Sequence, residues 1–392
     1  MKFEINATDF KKVVDRAMAI MKKESEISIH DCIKIQASGG KILISTVSKS
    51  AFVDITTDAR VIESGKAYVN KDSLKKIYNS TGCITVESDE KIFNINNGKK
   101  CCEIAVINIQ KEDEIKSPQI DDNTIHVFDE NGKALIDTFI SMDCVRSKDE
   151  IRPILKGFNI NSSDEQIVAC DGYRVAIKHM GGKFHNSNVN ITIPGDVSVN
   201  LKKVGNCKKD EVISVFYGKS QGYKDYYVFF KGNDFTYCSK ILAGEYPKTS
   251  HILKGNKQYS FELSPRELEN IAKEYAQTKN SSMYIIKYED KLYTSVVTPE
   301  YQTADTLVTV NSVDNVNDGF CFCANSLYIN QALGLFKDET VLVYGEGRLG
   351  DNSGMISPMI FKGNEYTTIV LPMRTSMENI KNRMEFISKL QN

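Results

Sequence analysis

The chain repeats itself three times, weakly in letters and clearly in pattern, and a repeat of this kind limits the architecture before any single residue does. Amphipathic helical patterns open near Asn6, Asp129 and Ser264. In the first, Phe10, Val13, Val14, Ala17 and Met18 keep the spacing of one helix face. Leu135, Phe139 and Met142 do so in the second, and Leu268, Ile271, Ala272 and Tyr275 in the third. Strand-like runs such as KILIS, QIVAC and YIIKY follow each. A second, shorter helical pattern then enters from a strand: AYVNKDSLKKIYNS, ITIPGDVSVNLKKV and FCFCANSLYINQALGLF. Asn70, Pro194 and Asn325 stand near those starts, where caps and first-turn prolines belong. CITVES, VISVFY with YYVFF, and TVLVYG with TTIVLP close the units, and the polar joints KEDEIKSPQIDD and AGEYPKTSHILKGN each carry a proline.

Two helices cannot cover both faces of a sheet, so each unit is expected to be α+β, with both helices packed on one face of an antiparallel sheet. The boundaries fall at 1–122, 123–252 and 253–374, with a tail at 375–392. Three such units form an arc whose exposed strand edges invite pairing with a second copy, and two arcs joined head to tail close a ring.

Hydrophobic residues make up 41% and charged residues 26% of the 392, a globular balance with room for two or three cores. No run of about 18 apolar residues occurs, and MKFEINATDFKK holds no signal-peptide core, so the expected compartment is the cytoplasm. Ten cysteines without a CxxC read as reduced, mostly buried thiols. A net charge of −1 ordinarily argues against nucleic-acid binding, since phosphate neutralisation needs basic surface, but distribution decides more than the sum. On the first helix Lys12, Arg16 and Lys23 gather opposite the apolar stripe, as a basic surface or as an ordinary solvated face.

Catalytic signatures are missing from the sequence. GEGRLG, 345–350, matches GxGxxG but DNSGMISP after it cannot open the helix that a dinucleotide site requires, so no cofactor is expected. His30, His126, His179, His185 and His251 show no metal-ligand spacing, and the carboxylates form no recognisable acid–base pair.

CDGYRVAI, 170–177, reads as a hairpin turn through its Asp-Gly pair, yet it also holds Tyr173 and Arg174, residue types that build recognition surfaces. In the tail, Thr375 and Glu378 form a capping box, and Met377, Ile380, Met384 and Ile387 mark a short amphipathic helix. Such a helix needs a surface to lie on, either the outside of the third unit or the region beside Met373 and Arg374.

IRPILKGFNINSSDEQIVACDGYRVAIKHM (151–180), ILAGEYPKTSHIL (241–253) and TTIVLPMRT (367–375), in that order and after an opening MKFEI, resemble the bacterial DNA polymerase III beta subunit, the sliding-clamp family, over residues 1–374. The resemblance implies a homodimeric ring of clamp domains that encircles duplex DNA without reading its sequence. It also implies a tether for the polymerase III catalytic subunit, loaded by a clamp loader complex and bound by other proteins with clamp-binding motifs. The alternative is a peptide-binding scaffold of the same fold that does not encircle DNA.

A peptide pocket is implied at Leu155, Cys170, Gly172, Tyr173, Arg174, Val175, Pro247, Ile252, Ile356, Pro358, Ile369, Leu371, Pro372, Met373 and Arg374. Its aliphatic and Met surface suits an adaptable floor, and Arg174 and Arg374 would grip carbonyls or a carboxylate. The DNA-facing cations would be Lys12, Arg16, Lys23, Lys75, Lys76, Arg146, Lys148, Arg152, Lys202 and Lys203. ESEISIHDCIKI lacks the family's Pro-Ile-Leu segment, His251 stands where arginine is common, the second-unit helix is acidic, and the chain continues past Arg374. These departures point to a divergent or mobile-element member.

Overall fold

The computed structural model describes the chain except residues 22–28, 78–80, 111–113, 206, 208, 256, 279–280, 308–315, 317–318, 338, 348–354 and 390–392. Lys23, the side chain of Lys76 and the second half of GEGRLG fall outside the described residues. Eight α-helices occur among those described: α1 (Ala7–Ala17), α2 (Lys71–Ile77), α3 (Gly132–Met142), α4 (Val197–Gly205), α5 (Ser250–Leu253), α6 (Pro265–Tyr275), α7 (Ser326–Leu333) and α8 (Met377–Ser388).

The repeat is present element by element. The helices α1, α3 and α6 are each eleven residues long, and each follows a strand: Lys2–Asn6, Thr124–Asn131 and Tyr259–Leu263. The shorter α2, α4 and α7 follow strands Gly65–Asn70, Asn190–Pro194 and Cys321–Asn325. Asn70 caps α2 by accepting from Asp72 N–H at 2.9 Å, and Asn325 caps α7 by accepting from Leu327 N–H at 2.9 Å. Pro194 has a different place: it ends its strand, and the Gly195-Asp196 turn separates it from α4. A strand end tolerates the missing N–H as well as a first helical turn does.

Two compact units result, and they cut across the sequence repeats. One holds 1–139 with 183–242, the other 140–182 with 243–392. The cause is strand pairing between repeats. In the first unit Phe235–Lys240 pairs with Ala51–Asp58, placing Phe235 opposite Ile55. This joins the chain's early hairpins to Thr124–Asn131, Val212–Gly218 and Tyr227–Lys231 in one antiparallel sheet. In the second unit Arg174–His179 pairs with Tyr366–Val370, placing Arg174 opposite Val370.

The strands that this unit gives to that sheet run in the order Gly157–Asn161, Gln166–Cys170, Arg174–His179, Tyr366–Val370, Met359–Lys362, Val341–Gly345, Tyr259–Leu263. Its companion sheet has the order Gln302–Leu307, Lys291–Val297, Ser282–Tyr288, Cys321–Asn325. Phe261, Leu268, Ala272, Phe322, Ile329, Leu333 and Phe361 form the core under α6 and α7. No described helix is long and apolar enough to cross a membrane.

The tail helix α8 lies on the companion sheet, where Ile380 and Ile387 are buried against Tyr284, Ile286, Tyr293, Cys321 and Cys323. Its cap is one residue later than the T-x-x-E pattern suggests: Ser376 Oγ accepts from Asn379 N–H at 3.2 Å. The Thr375 hydroxyl instead meets Tyr284 Oη at 3.2 Å, and Met377 stays exposed.

Candidate functional site

The Asp-Gly pair does make a turn. Asp171 Oδ1 accepts from Tyr173 N–H at 2.9 Å and Arg174 N–H at 3.0 Å, and Gly172 takes φ +93°, which an L side chain rarely adopts. It joins Gln166–Cys170 to Arg174–His179 with Cys170 opposite Val175. The turn is also tied to a second segment of the chain. Leu371 N–H donates to Tyr173 O at 2.9 Å, which ties DGYR to LPMR. Met373 N–H donates to Cys323 O at 2.7 Å, which ties LPMR to the companion sheet.

A floor and a rim can be distinguished. Leu155, Cys170, Val175 and Ile369 are buried in one cluster with Val168, Ile177, Tyr246, Tyr344 and Ile360, and Ile252 packs partly buried against it. The implied pocket also has a rim of uncovered apolar side chains, Tyr173, Ile356, Leu371 and Met373, which expose 61%, 42%, 37% and 38% of their surface. The pairing of Met359 with Val370 sets Pro358 and Leu371 at the same end of their ladder. Pro247 and Arg374 are exposed, and Pro372 is half-buried.

Two concave regions flank this rim. One, of about 350 Å³, is lined by His251, Ile252, Tyr344, Glu346, Pro358 and Ile360. The other, of about 640 Å³, is lined by Arg146, Lys148, Ile151, Arg152, Tyr173 and Tyr328 among others. Both volumes suit insertion of a few side chains.

Arg174 departs from expectation. It is buried, its Nε donates to Asp171 Oδ2 at 3.1 Å, its Nη2 to Cys144 O at 2.7 Å and its Nη1 to Gln331, and its guanidinium stacks 4.4 Å from the Tyr328 ring centre. Those contacts use three of its five N–H donors. The arginine instead fixes the turn against α7 and lets Tyr173 stack on Tyr328 at 6.0 Å. Sequence reasoning missed Ile151, Tyr328, Gln331 and Tyr344. Only Ile151, 83% exposed beside the quoted RPILKGF stretch, left a signal there, an apolar residue in a polar run.

The cations divide into two groups. Lys12, Lys75, Lys148, Arg152, Lys202 and Lys203 are exposed. Arg16 is not: it is 8% exposed, donating to Val204 O at 2.7 Å and to both Asp234 oxygens at 2.6 and 2.7 Å. Arg146 donates to Asp143 Oδ1 at 3.1 Å and to Lys156 O, and lies over Phe158. Lys148 and Arg152 line the larger concavity rather than a helix.

The family model for the DNA polymerase III beta subunit, central domain, matches residues 131–248. A beta sliding clamp of Staphylococcus epidermidis is 24% identical over 363 residues, covering 90% of this chain and 87% of that protein. The crystal structure of the DNA polymerase sliding clamp from Bacillus subtilis superposes with a TM-score of 0.80 at 17% identity, covering 96% of this chain and 99% of that one. The Helicobacter pylori beta clamp bound to a DNA ligase peptide superposes at 0.77 with 15% identity, covering 95% and 100%.

Proposed function

The chain belongs, as a divergent member, to the bacterial DNA polymerase III beta-subunit family, and from that premise we propose that it is a DNA sliding clamp working in the cytoplasm. It acts as a processivity tether and not as a catalyst. Two copies close around duplex DNA, and partners, a polymerase III catalytic subunit and a clamp loader among them, dock short apolar peptides on the Tyr173–Met373 rim. A tethered polymerase that releases the primer end rebinds from an intramolecular distance, so effective concentration replaces bulk diffusion.

The observation that supports the docking half is that Tyr173, Ile356, Leu371 and Met373 stay exposed while Leu155, Cys170, Val175 and Ile369 pack into one buried apolar cluster. Its test uses residues whose truncation spares the core. Met373→Ala and Tyr173→Ala should each weaken a short apolar clamp-binding peptide by about tenfold or more, with unchanged circular dichroism. Full affinity in both variants would remove the rim from the site.

Encirclement needs few phosphate contacts, since sliding is favoured by weak, sequence-blind ones. That suits a net charge of −1 with Lys12, Lys202 and Lys203 exposed on α1 and α4. The withdrawal of Arg16 and Arg146 into internal bonds favours the second reading, a peptide-binding scaffold that no longer holds DNA. Loading onto nicked circular DNA and then linearising it decides between them. A clamp is retained on circles and lost from free ends, whereas equal retention or none on circles leaves the scaffold.

A further inference from the structure

We propose that His126, Asp129 and His185 form a binding site for a divalent transition-metal ion of the zinc class. All three belong to the first compact unit, whereas the residues of the peptide rim belong to the second. His126 Nε2 lies 3.0 Å from Asp129 Oδ1 and His185 Nε2 lies 3.1 Å from Asp129 Oδ2. One ligand atom from each residue falls within 4.8 Å of the others. Neighbouring ligand atoms around tetrahedral zinc, with bonds of about 2.0–2.2 Å, stand about 3.3 Å apart, so small side-chain movements suffice. Two imidazoles and a carboxylate are a borderline N₂O donor set that suits zinc, cobalt or nickel better than magnesium or calcium.

The backbone builds this cluster in a way that linear spacing hides. Residues three apart on a regular strand point to opposite faces. In Thr124–Asn131 the register slips between His126 and Phe128: His126 is opposite Phe216, while Phe128 is opposite Val215 and Asp129 opposite Ser214. The bulge restores His126 and Asp129 to one face, the kind of re-aiming for which bulges are used.

His185 is brought in by a separate device. Thr124–Asn131 is the end strand of its sheet, and Phe184 bridges to Phe128 beside it. His185 N–H donates to Val127 O at 2.8 Å, and Lys183 pairs with Glu130 at 2.5 Å.

The surroundings also suit a metal. Phe216 stacks on the His126 ring at 4.6 Å and 17°, fixing its plane, and the two imidazole centres are 4.4 Å apart. Coordination through Nε2 needs each neutral ring to carry its proton on Nδ1. The Asp129 side chain is 39% exposed and the His185 side chain 49%, so solvent or a further ligand can take the fourth position. A bound ion would clip the 183–185 segment to the edge strand.

The test titrates Zn²⁺ alone into the full chain, in a background with Cys83→Ser, Cys101→Ser and Cys102→Ser to remove the more accessible thiols. One equivalent should bind and raise the melting temperature. His185→Ala, truncating a half-exposed side chain, should keep the metal-free melting temperature and lose affinity by at least about tenfold. Asp129→Asn should do the same, and Co²⁺ should give tetrahedral d–d bands in the background protein that both variants lack. Equal zinc affinity in the background protein and His185→Ala, or no saturable binding in the background protein, overturns the site.

Discussion

Arg16 shows how far a helical wheel reaches at the scale of single residues. Its position opposite Phe10, Val13 and Val14 reads as polar surface, and Lys12 on that side is indeed exposed. The wheel cannot know that α4 packs there and ends with carbonyls needing donors. Arg16 meets Val204 O at 2.7 Å and Gly205 O at 3.5 Å, a cation on a helix C-terminus, and Asp234 with both remaining forks. Arg16→Ala should therefore lower stability by about 2 kcal/mol, less than a fully buried pair because Asp234 is half exposed. Lys12→Ala should stay within about 0.5 kcal/mol. Urea midpoints at constant slope measure both, and equal small effects would return Arg16 to the surface stripe.

The cysteines divide by burial in the same way. Cys83 and Cys101 are exposed, while burial pushes the Cys238 thiol well up and Cys323 to about 12. Brief alkylation of the native chain should mark Cys83 and Cys101 and spare Cys238, Cys321 and Cys323. Mass spectrometry reads that pattern.

Elements were more legible than their partners. The six repeated helices and the tail helix follow from periodicity, because an apolar stripe at helical spacing is a local signal. What each stripe covers is not local. For α8 the two surfaces open to sequence reasoning differ in function, and the helix takes the sheet of the third repeat, covering Cys321 and Cys323. Deleting 376–392 should uncover that apolar face, making both thiols alkylatable and lowering the melting temperature, while affinity for a rim peptide stays unchanged. Tighter peptide binding after deletion would mean that the tail competes for the rim.

The polar joint before the second repeat is likewise held by partners that are not local. In KEDEIKSPQIDD, Ile115 is buried with Val47 and Tyr68, and Ile107 and Ile109 pack beside them. Glu114 pairs with Lys66 at 2.7 Å and Lys34 at 3.2 Å. The Lys66 hydrogen bond, then that of Lys34, outweighs burial and holds its carboxyl at about 2, below an unfolded value of 4.5. The ionised pair stabilises fully above about pH 4.5 and is lost as pH falls toward 2. Glu114→Gln should flatten that part of the acid-denaturation curve, and an unchanged curve would mean that the joint is not held by this pair.

For the whole molecule, the triplication was readable but the compact units were not, because strand partners such as Phe235 with Ile55 belong to different repeats. Of the end strands that the same pairing logic leaves, two suit a second copy. Cys101–Ala105 ends a five-stranded sheet ordered Arg60–Glu63, Lys2–Asn6, Cys83–Ser88, Ile92–Asn96, Cys101–Ala105, and Gln302–Leu307 ends the companion sheet, with no described strand on their outer sides. Each is a short edge with Ala105 or Thr306 exposed, the kind of edge that must be paired, covered or charged. Head-to-tail pairing of one edge with the other would satisfy both, twice, in a closed dimer. The expected solution mass is then twice 44.1 kDa. Ala105→Lys with Thr306→Lys places like charges on the two edges without touching either core, since both side chains already face solvent. The double variant should sediment as a folded monomer and lose retention on circular DNA, while still binding a rim peptide within each chain. A variant that stays dimeric would show that other surfaces join the copies.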